Sequence, residues 1–222
     1  GIAGVAKEEH NISGDGFSFT ELRDGKYLLA LCDGMGVGKK ASTYSEKTLG
    51  LIERLLETGF DKETSLKIVN SAMMAFDGEE GFSTADLAVI DTHSGRTEFI
   101  KAGAPVGFIK RGFRVDVIRG GSFPIGIMDV FSPKIMQKHL KPQDMVVMVT
   151  DGVIDALSFR ESGEDVLKRF LSRLQTTYPQ EVADKILDRA KKNGKIKDDM
   201  TVLVANIWVK NPYSLCFFND TA

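Results

Sequence analysis

Four aspartates stand where the chain could gather negative charge: Asp15 in Ser13-Gly14-Asp15-Gly16, Asp33 in Cys32-Asp33-Gly34-Met35-Gly36, Asp151 in Thr150-Asp151-Gly152-Val153, and Asp198 in Asp198-Asp199-Met200-Thr201. An Asp-Gly pair alone is foremost a turn signal. Three of these four, however, sit at the ends of apolar, strand-like runs, and a sheet can bring carboxylates that are distant in sequence to one edge. Oxygen donors without His or Cys suit Mg²⁺ or Mn²⁺ rather than zinc or copper. Crowded carboxylates repel one another unless a cation neutralises them. A pair of ions bridged by one carboxylate is a device for activating water against a phosphoryl group, so the implied chemistry is phosphoester hydrolysis.

The elements around the aspartates say how they would be gathered. Phe17 to Leu22 alternates and Tyr27 to Cys32 is almost wholly apolar, with Asp24-Gly25 between them as a hairpin signal, which places Asp15 and Asp33 at the same end of one hairpin. Beyond the glycines of Gly34 to Gly38 the period becomes helical, with Leu49, Ile52 and Leu56 on one stripe until Gly59. A second helix follows, with Asp61 as N-cap, Leu66, Val69, Met73 and Phe76 on its apolar face, and Gly78 as its end.

Strands resume at Ala85 to Ile90, Thr97 to Ala102, Val106 to Ile109 and Val115 to Ile118, which read as an antiparallel meander. After a Gly/Pro-containing loop from Gly120 to Phe131, Lys134 to Leu140 and Met145 to Val149 supply two more strands, the second running into Asp151. One helix then carries Val166 to Leu174, another starts at Pro179 and runs toward Gly194, and Thr201 to Val209 is the last strand. Asp198 precedes that strand, so antiparallel placement brings it to the edge holding the others. The expected fold is an α/β (α+β) four-layer α/β/β/α sandwich, with two mostly antiparallel sheets and a helix pair on each outer face.

Composition narrows the function classes. The 222 residues contain 29 basic and 31 acidic side chains, a net charge of -2, and no basic stripe, which argues against nucleic acid as a partner. The longest apolar runs fall far below the ~18 residues of a membrane span, so this stretch is expected to make no membrane contact. Cys32 and Cys216 have no metal-ligand spacing and read as reduced thiols of a cytosolic domain, Cys32 within a buried strand. His10, His93 and His139 are scattered and fit no ligand pattern. The glycines before Lys39 lack the spacing of a P-loop or a dinucleotide fingerprint. One domain over residues 1–210 is expected, with a short tail at 211–222, the whole read as a piece of a longer protein.

Taken in order, Ser13-Gly14-Asp15, Asp33-Gly34-Met35-Gly36, Phe82-Ser83-Thr84, Pro124-Ile125-Gly126-Ile127, Thr150-Asp151-Gly152 and Asp198-Asp199-Met200-Thr201 resemble the PPM family of metal-dependent serine/threonine phosphatases, bacterial branch. Asp33-Gly34-Met35-Gly36 followed by two helices, Ser83-Thr84 with Asp86-Leu87, and Phe108 to Gly112 are similar to the phosphatase domain of the stage II sporulation protein E family. That resemblance implies a site with two Mn²⁺ or Mg²⁺ ions. Asp33 would bridge both, Asp15 and the Gly34 carbonyl would serve one, and Asp151 with Asp198 the other.

Asp199 matches a supporting rather than a ligating position, and the segment of Thr84 and Asp86 lies near the site. The resemblance further implies a metal-bridged hydroxide attacking a protein phosphoserine in line, with no covalent intermediate. Met35 stands where some relatives place an acidic His, and no Arg precedes the first motif, leaving phosphate binding to the metals with help from Lys39 or Lys40. The implied substrate is a phosphorylated anti-anti-sigma factor whose dephosphorylation activates a sporulation sigma factor, and membrane segments would precede Gly1. The helices from Ala41 to Asp77, with the Leu49, Ile52 and Leu56 face, would form a movable switch coupling regulation or homodimerisation to metal-site assembly. Two other readings stand beside this one: a catalytically silent scaffold of the same fold, and a phosphatase of small molecules.

Overall fold

The computed structural model describes residues 1–8, 11–76, 81–192 and 195–208. His10, Asp77, Gly78, Gly194, Cys216, the end of the last expected strand at Val209 and the tail at 211–222 lie outside that set.

Among the described residues, ten strands form two antiparallel five-stranded sheets. In chain order they are β1 (Ile2–Val5), β2 (Asp15–Glu21), β3 (Lys26–Asp33), β4 (Ala85–Asp91), β5 (Arg96–Ala102), β6 (Gly107–Arg111), β7 (Arg114–Ile118), β8 (Ile135–His139), β9 (Met145–Val149) and β10 (Met200–Asn206). One sheet has the order β2-β3-β4-β5-β8 and the other β1-β10-β9-β6-β7. Helices α1 (Gly38–Glu57) and α2 (Lys62–Met74) cover the first sheet; α3 (Asp151–Leu157), α4 (Gly163–Arg173) and α5 (Pro179–Lys191) serve the second.

Strand alternation divides the apolar residues into three cores. Leu28, Ala30 and Cys32 of β3 face α1 and α2, where Leu49, Ile52, Leu56, Leu66 and Val69 meet them. Leu29 and Leu31 of the same strand face inward against Phe99, Ile109, Val146, Met148 and Leu203 between the sheets. Val147, Val149, Val202 and Val204 face the other way, against Leu167, Leu171, Val182, Ile186 and Leu187. Layers of helix, sheet, sheet and helix follow, as the sequence suggests. Cys32 is a buried free thiol in a strand.

Two details depart from the sequence reading. The middle strands are not one meander: β4 and β5 pair with each other, but β6 and β7 belong to the opposite sheet, and β8 returns to pair with β5. The chain changes sheet after β5, where Gly103 takes a positive φ of 65° and Pro105 follows. The second departure is α3, which makes the outer layer of the second sheet three helices rather than two. It starts at Asp151 itself, and its seven residues are too few to display a helical period.

Candidate active site

The hairpin of β2 and β3 sets the first two carboxylates. Its turn places Asp24 and Gly25 at positive φ of 57° and 66°, the geometry that suits a right-twisted hairpin. Seven residue pairs then run without a bulge from Glu21↔Tyr27 to Asp15↔Asp33. Directly opposed residues project from the same face with Cβ atoms about 5 Å apart, so the two aspartates stand side by side. Asp33 is also fixed from β4: its N–H donates to Thr84 Oγ1 (3.0 Å), while its carbonyl accepts from the Thr84 N–H (2.8 Å) and the Ser83 hydroxyl (3.0 Å). Thr84 thus holds the backbone that carries Asp33.

The second sheet supplies the remaining groups. Thr150, at the end of β9, donates its hydroxyl to Asp15 Oδ2 (3.0 Å) and accepts the Thr201 N–H at the same oxygen (2.9 Å), which ties the two sheets together at the site. Asp151 occupies the first turn of α3, where the helix dipole favours a carboxylate. Asp198 and Asp199 form the approach to β10. Asp199, only 8% exposed, accepts the Lys7 N–H at Oδ1 (2.7 Å) and the Gly14 N–H at Oδ2 (2.6 Å). Both oxygens are taken up by backbone N–H groups, the second of them at Gly14, beside Asp15.

Electrostatics records the crowding. Burial, followed by the charges of Asp15, Asp151, Asp198 and Asp199, raises the Asp33 pKa to about 8. Burial also raises Asp15 to about 7 against the hydrogen bonds from Thr201 and Thr150. Asp151 is raised by burial and then by Asp198. All the predicted carboxylates therefore lie within electrostatic reach of Asp33. One oxygen, Asp15 Oδ1, is buried with no hydrogen-bond partner among the described residues.

Donor type and the unpartnered Asp15 oxygen fit hard divalent cations. The side chains are nevertheless not drawn together: among the described residues no three carboxylate, imidazole or thiol groups converge at metal-ligand spacing. Asp151 and Asp198 each turn back on the next residue, accepting the Gly152 N–H (2.8 Å) and the Asp199 N–H (2.9 Å). Like charges spread apart in this way, and side-chain rotation is what a cation would have to induce.

Helix α1 is seated directly on the glycines beside the first two aspartates. A Cβ on Gly34 would lie 1.9 Å from the Ala41 carbonyl oxygen, one on Gly14 would lie 2.6 Å from Ala41 Cβ, and one on Gly16 would lie 2.8 Å from Leu49 Cδ1. Ala41, Ser45 and Leu49, four residues apart, form the stripe that contacts these glycines. Leu49, Ile52 and Leu56 lie in the core under α1. Lys39 is exposed on the first turn of α1, where its carbonyl accepts the Thr43 hydroxyl (2.8 Å).

Sequence reasoning quoted Thr150 and Thr201 within the aspartate motifs but gave them no role. It also missed the paired use of Asp86 and Lys101. These are cross-strand partners on β4 and β5, nearly fully buried and ion-paired, with Lys101 Nζ also donating to the Pro105 carbonyl (2.7 Å). A charged residue between Ala85 and Leu87 in an apolar strand was the available signal.

Comparison with known proteins identifies the family. Residues 23–208 match the family model described as stage II sporulation protein E (SpoIIE). The chain is 39% identical over 214 residues to stage II sporulation protein E of Priestia megaterium, and 35% identical over 227 residues to that of Bacillus subtilis (strain 168). These alignments take in 96% and 99% of this chain but span only 37% and 27% of the two relatives.

Among solved structures, the PP2C phosphatase domain with a fragment of the regulatory domain of SpoIIE from Bacillus subtilis superposes with a TM-score of 0.89 at 36% identity. That match covers 96% of this chain and 62% of the other. The phosphatase domain of the same protein, in a crystal form without domain swapping, gives 0.76 at 33%, covering 100% and 95%. The RsbU and RsbW domains of Rv1364c from Mycobacterium tuberculosis, at 19% identity and a TM-score of 0.80 over 96% of this chain and 61% of that one, share the fold. The chain belongs to the stage II sporulation protein E family and aligns with the part of it that the solved structures describe as the PP2C phosphatase domain.

Proposed function

We propose that this domain hydrolyses phosphoserine on a protein, using two divalent cations, Mn²⁺ or Mg²⁺, held by Asp15, Asp33, the Gly34 carbonyl, Asp151 and Asp198. The observation that carries the reading is the side-by-side placement of Asp15 and Asp33, with a buried Asp15 oxygen left unpartnered. When bound, the cations would supply an acidified water and offset charge on the phosphoryl oxygens. The chain's own part is to fix the ligands. Thr84 and Ser83 hold the Asp33 backbone, Thr150 orients the Asp15 carboxylate, and Asp199 braces the Gly14 peptide. Lys39, exposed at the start of α1, is available to help hold the phosphate.

The substrate supported by the sequence resemblance is a phosphorylated anti-anti-sigma factor, and its dephosphorylation would activate a sporulation sigma factor. A homodimer and a membrane-anchored full-length protein belong to the same reading; among the described residues no helix is long and apolar enough to cross a membrane. The seat of α1 on Gly14, Gly16 and Gly34 supports α1 and α2 as a switch, because any shift of α1 moves atoms packed against the Gly34 peptide.

The deciding experiment is a manganese-dependent assay on a phosphoserine protein, with and without chelator, for wild type and Asp33→Asn. Activity that survives in chelator or in the variant ends the two-cation account. For the switch, substitutions at Leu49, Ile52 and Leu56 should alter manganese dependence as well as stability; a change in stability alone would refute it.

A further inference from the structure

A cavity of about 360 Å³ opens beside the aspartates, between α3, the end of α5 and residues 195–198. Gly152 and Asp198 form its inner wall, where a Cβ on Gly152 would lie 3.2 Å from Asp198 Cβ, so the cavity continues the active-site edge. Three lysines, Lys191, Lys195 and Lys197, line it, and all are exposed. None of them takes part in an ion pair among the described residues.

The acidic groups facing the lysines are Asp155 and Asp198 in the cavity wall. Glu8 lies next to Ile196: its carboxylate accepts the Ile196 N–H (3.4 Å) and its own N–H donates to the Ile196 carbonyl (3.2 Å). These bonds fix the backbone between Lys195 and Lys197. Phe159, 79% exposed, offers an apolar wall.

We infer that this cleft is a substrate subsite that receives acidic residues flanking the phosphoserine, held by Lys195 and Lys197 with Lys191 behind them. The inference rests on the phosphatase reading above and names the kind of protein segment the site prefers. With the carboxylates neutralised by the cations of that reading, the lysines, which have no ion-pair partner among the described residues, give the cleft a positive field that steers and orients such a segment. Their influence extends over about 8 Å at physiological salt, a distance of two or three residues of extended chain.

The test compares two substrates, a phosphoserine peptide flanked by Asp and Glu and para-nitrophenyl phosphate, in wild type, Lys195→Glu/Lys197→Glu and Lys195→Arg/Lys197→Arg. The ratio of kcat/KM for peptide over aryl phosphate should fall about tenfold or more in the glutamate variant, mainly through KM, and recover in the arginine variant. Fluorescence anisotropy of the unphosphorylated acidic peptide should show the same order of affinities. An unchanged ratio together with unchanged peptide binding would overturn the cleft while leaving the phosphatase reading intact. Lysine-dependent peptide binding by a protein without metal-dependent turnover would overturn the phosphatase reading and leave the cleft standing.

Discussion

The same dipeptide, Asp-Gly, ends a buried strand in each sheet, and the two chain paths then diverge. After Asp33 the backbone runs through a glycine-rich loop before α1 begins at Gly38, whereas Asp151 already lies in the first turn of α3. Gly34 is pressed against a helix, at Ala41, while Gly152 is pressed against the turn leading into β10, where a Cβ would meet the Asp199 carbonyl oxygen at 2.1 Å. The helices differ in the same sense. The site-proximal buried residues of α1 are mixed, Ala41, Tyr44, Ser45, Thr48 and Leu49, and the Thr48 hydroxyl has no partner among the described residues. Those of α5 are Val182, Ala183, Ile186, Leu187 and Ala190. Apolar burial of about 1.5–3 kcal/mol for each large side chain holds the second sheet's helices, whereas α1 near the site interleaves Tyr44 and Leu49 with the buried polar Ser45 and Thr48. Under the switch proposed above, the half of the site that α1 covers is the one that would shift.

The largest expected effect comes from the residue on which both halves converge. Asp33→Asn should lower manganese-dependent turnover by about 10³-fold or more, measured at saturating metal. The matched pair Gly34→Ala and Gly152→Ala should then separate the halves. Gly152→Ala meets rigid backbone and should cost about 3 kcal/mol in urea unfolding. Gly34→Ala should lose less stability, because α1 can move away, yet require far more manganese for half-maximal activity. Equal stability losses for the two would break the comparison. Asp199→Ala should weaken manganese binding by about 10- to 100-fold, since the Gly14 peptide that presents Asp15 loses its brace.

A different kind of test is the pH dependence of the metal-free domain. Asp15 and Asp33 titrate near 7 and 8 when folded, against 3.8 for an ordinary aspartate. Their folded-state pKa values are raised, so the unfolded chain releases its protons first, and stability present below about pH 4 is lost as pH rises toward 8. Urea midpoints in chelator should therefore fall between pH 5 and pH 9, and manganese should remove most of the decline. A flat profile would mean that the carboxylates are not crowded.

The carboxylates and the helix stripes were legible in the sequence because both depend on local spacing: Asp at the ends of apolar runs, and Leu49, Ile52 and Leu56 at helical period. The division of strands between sheets was not legible. Pairing of β6 with β9 joins residues nearly forty positions apart, and nothing in either strand names its partner. Helix α3 escaped because two turns display no period. Thr84 was read near the site for family reasons, and its use in two of the three hydrogen bonds to the Asp33 backbone is a matter of strand register that residue types do not encode.

The hairpin register acts as a ruler. Asp15 and Asp33 face each other because seven unbroken pairs are counted off from the Asp24-Gly25 turn, a ladder that spans roughly 20 Å at about 3.4 Å per residue. A slip of one residue anywhere along that count would turn one carboxylate to the opposite face. Inserting or deleting a single residue at this surface turn should therefore abolish activity as fully as removing an aspartate, while leaving the helices and the other sheet in place. The fidelity of the chemistry is set at the far end of the molecule.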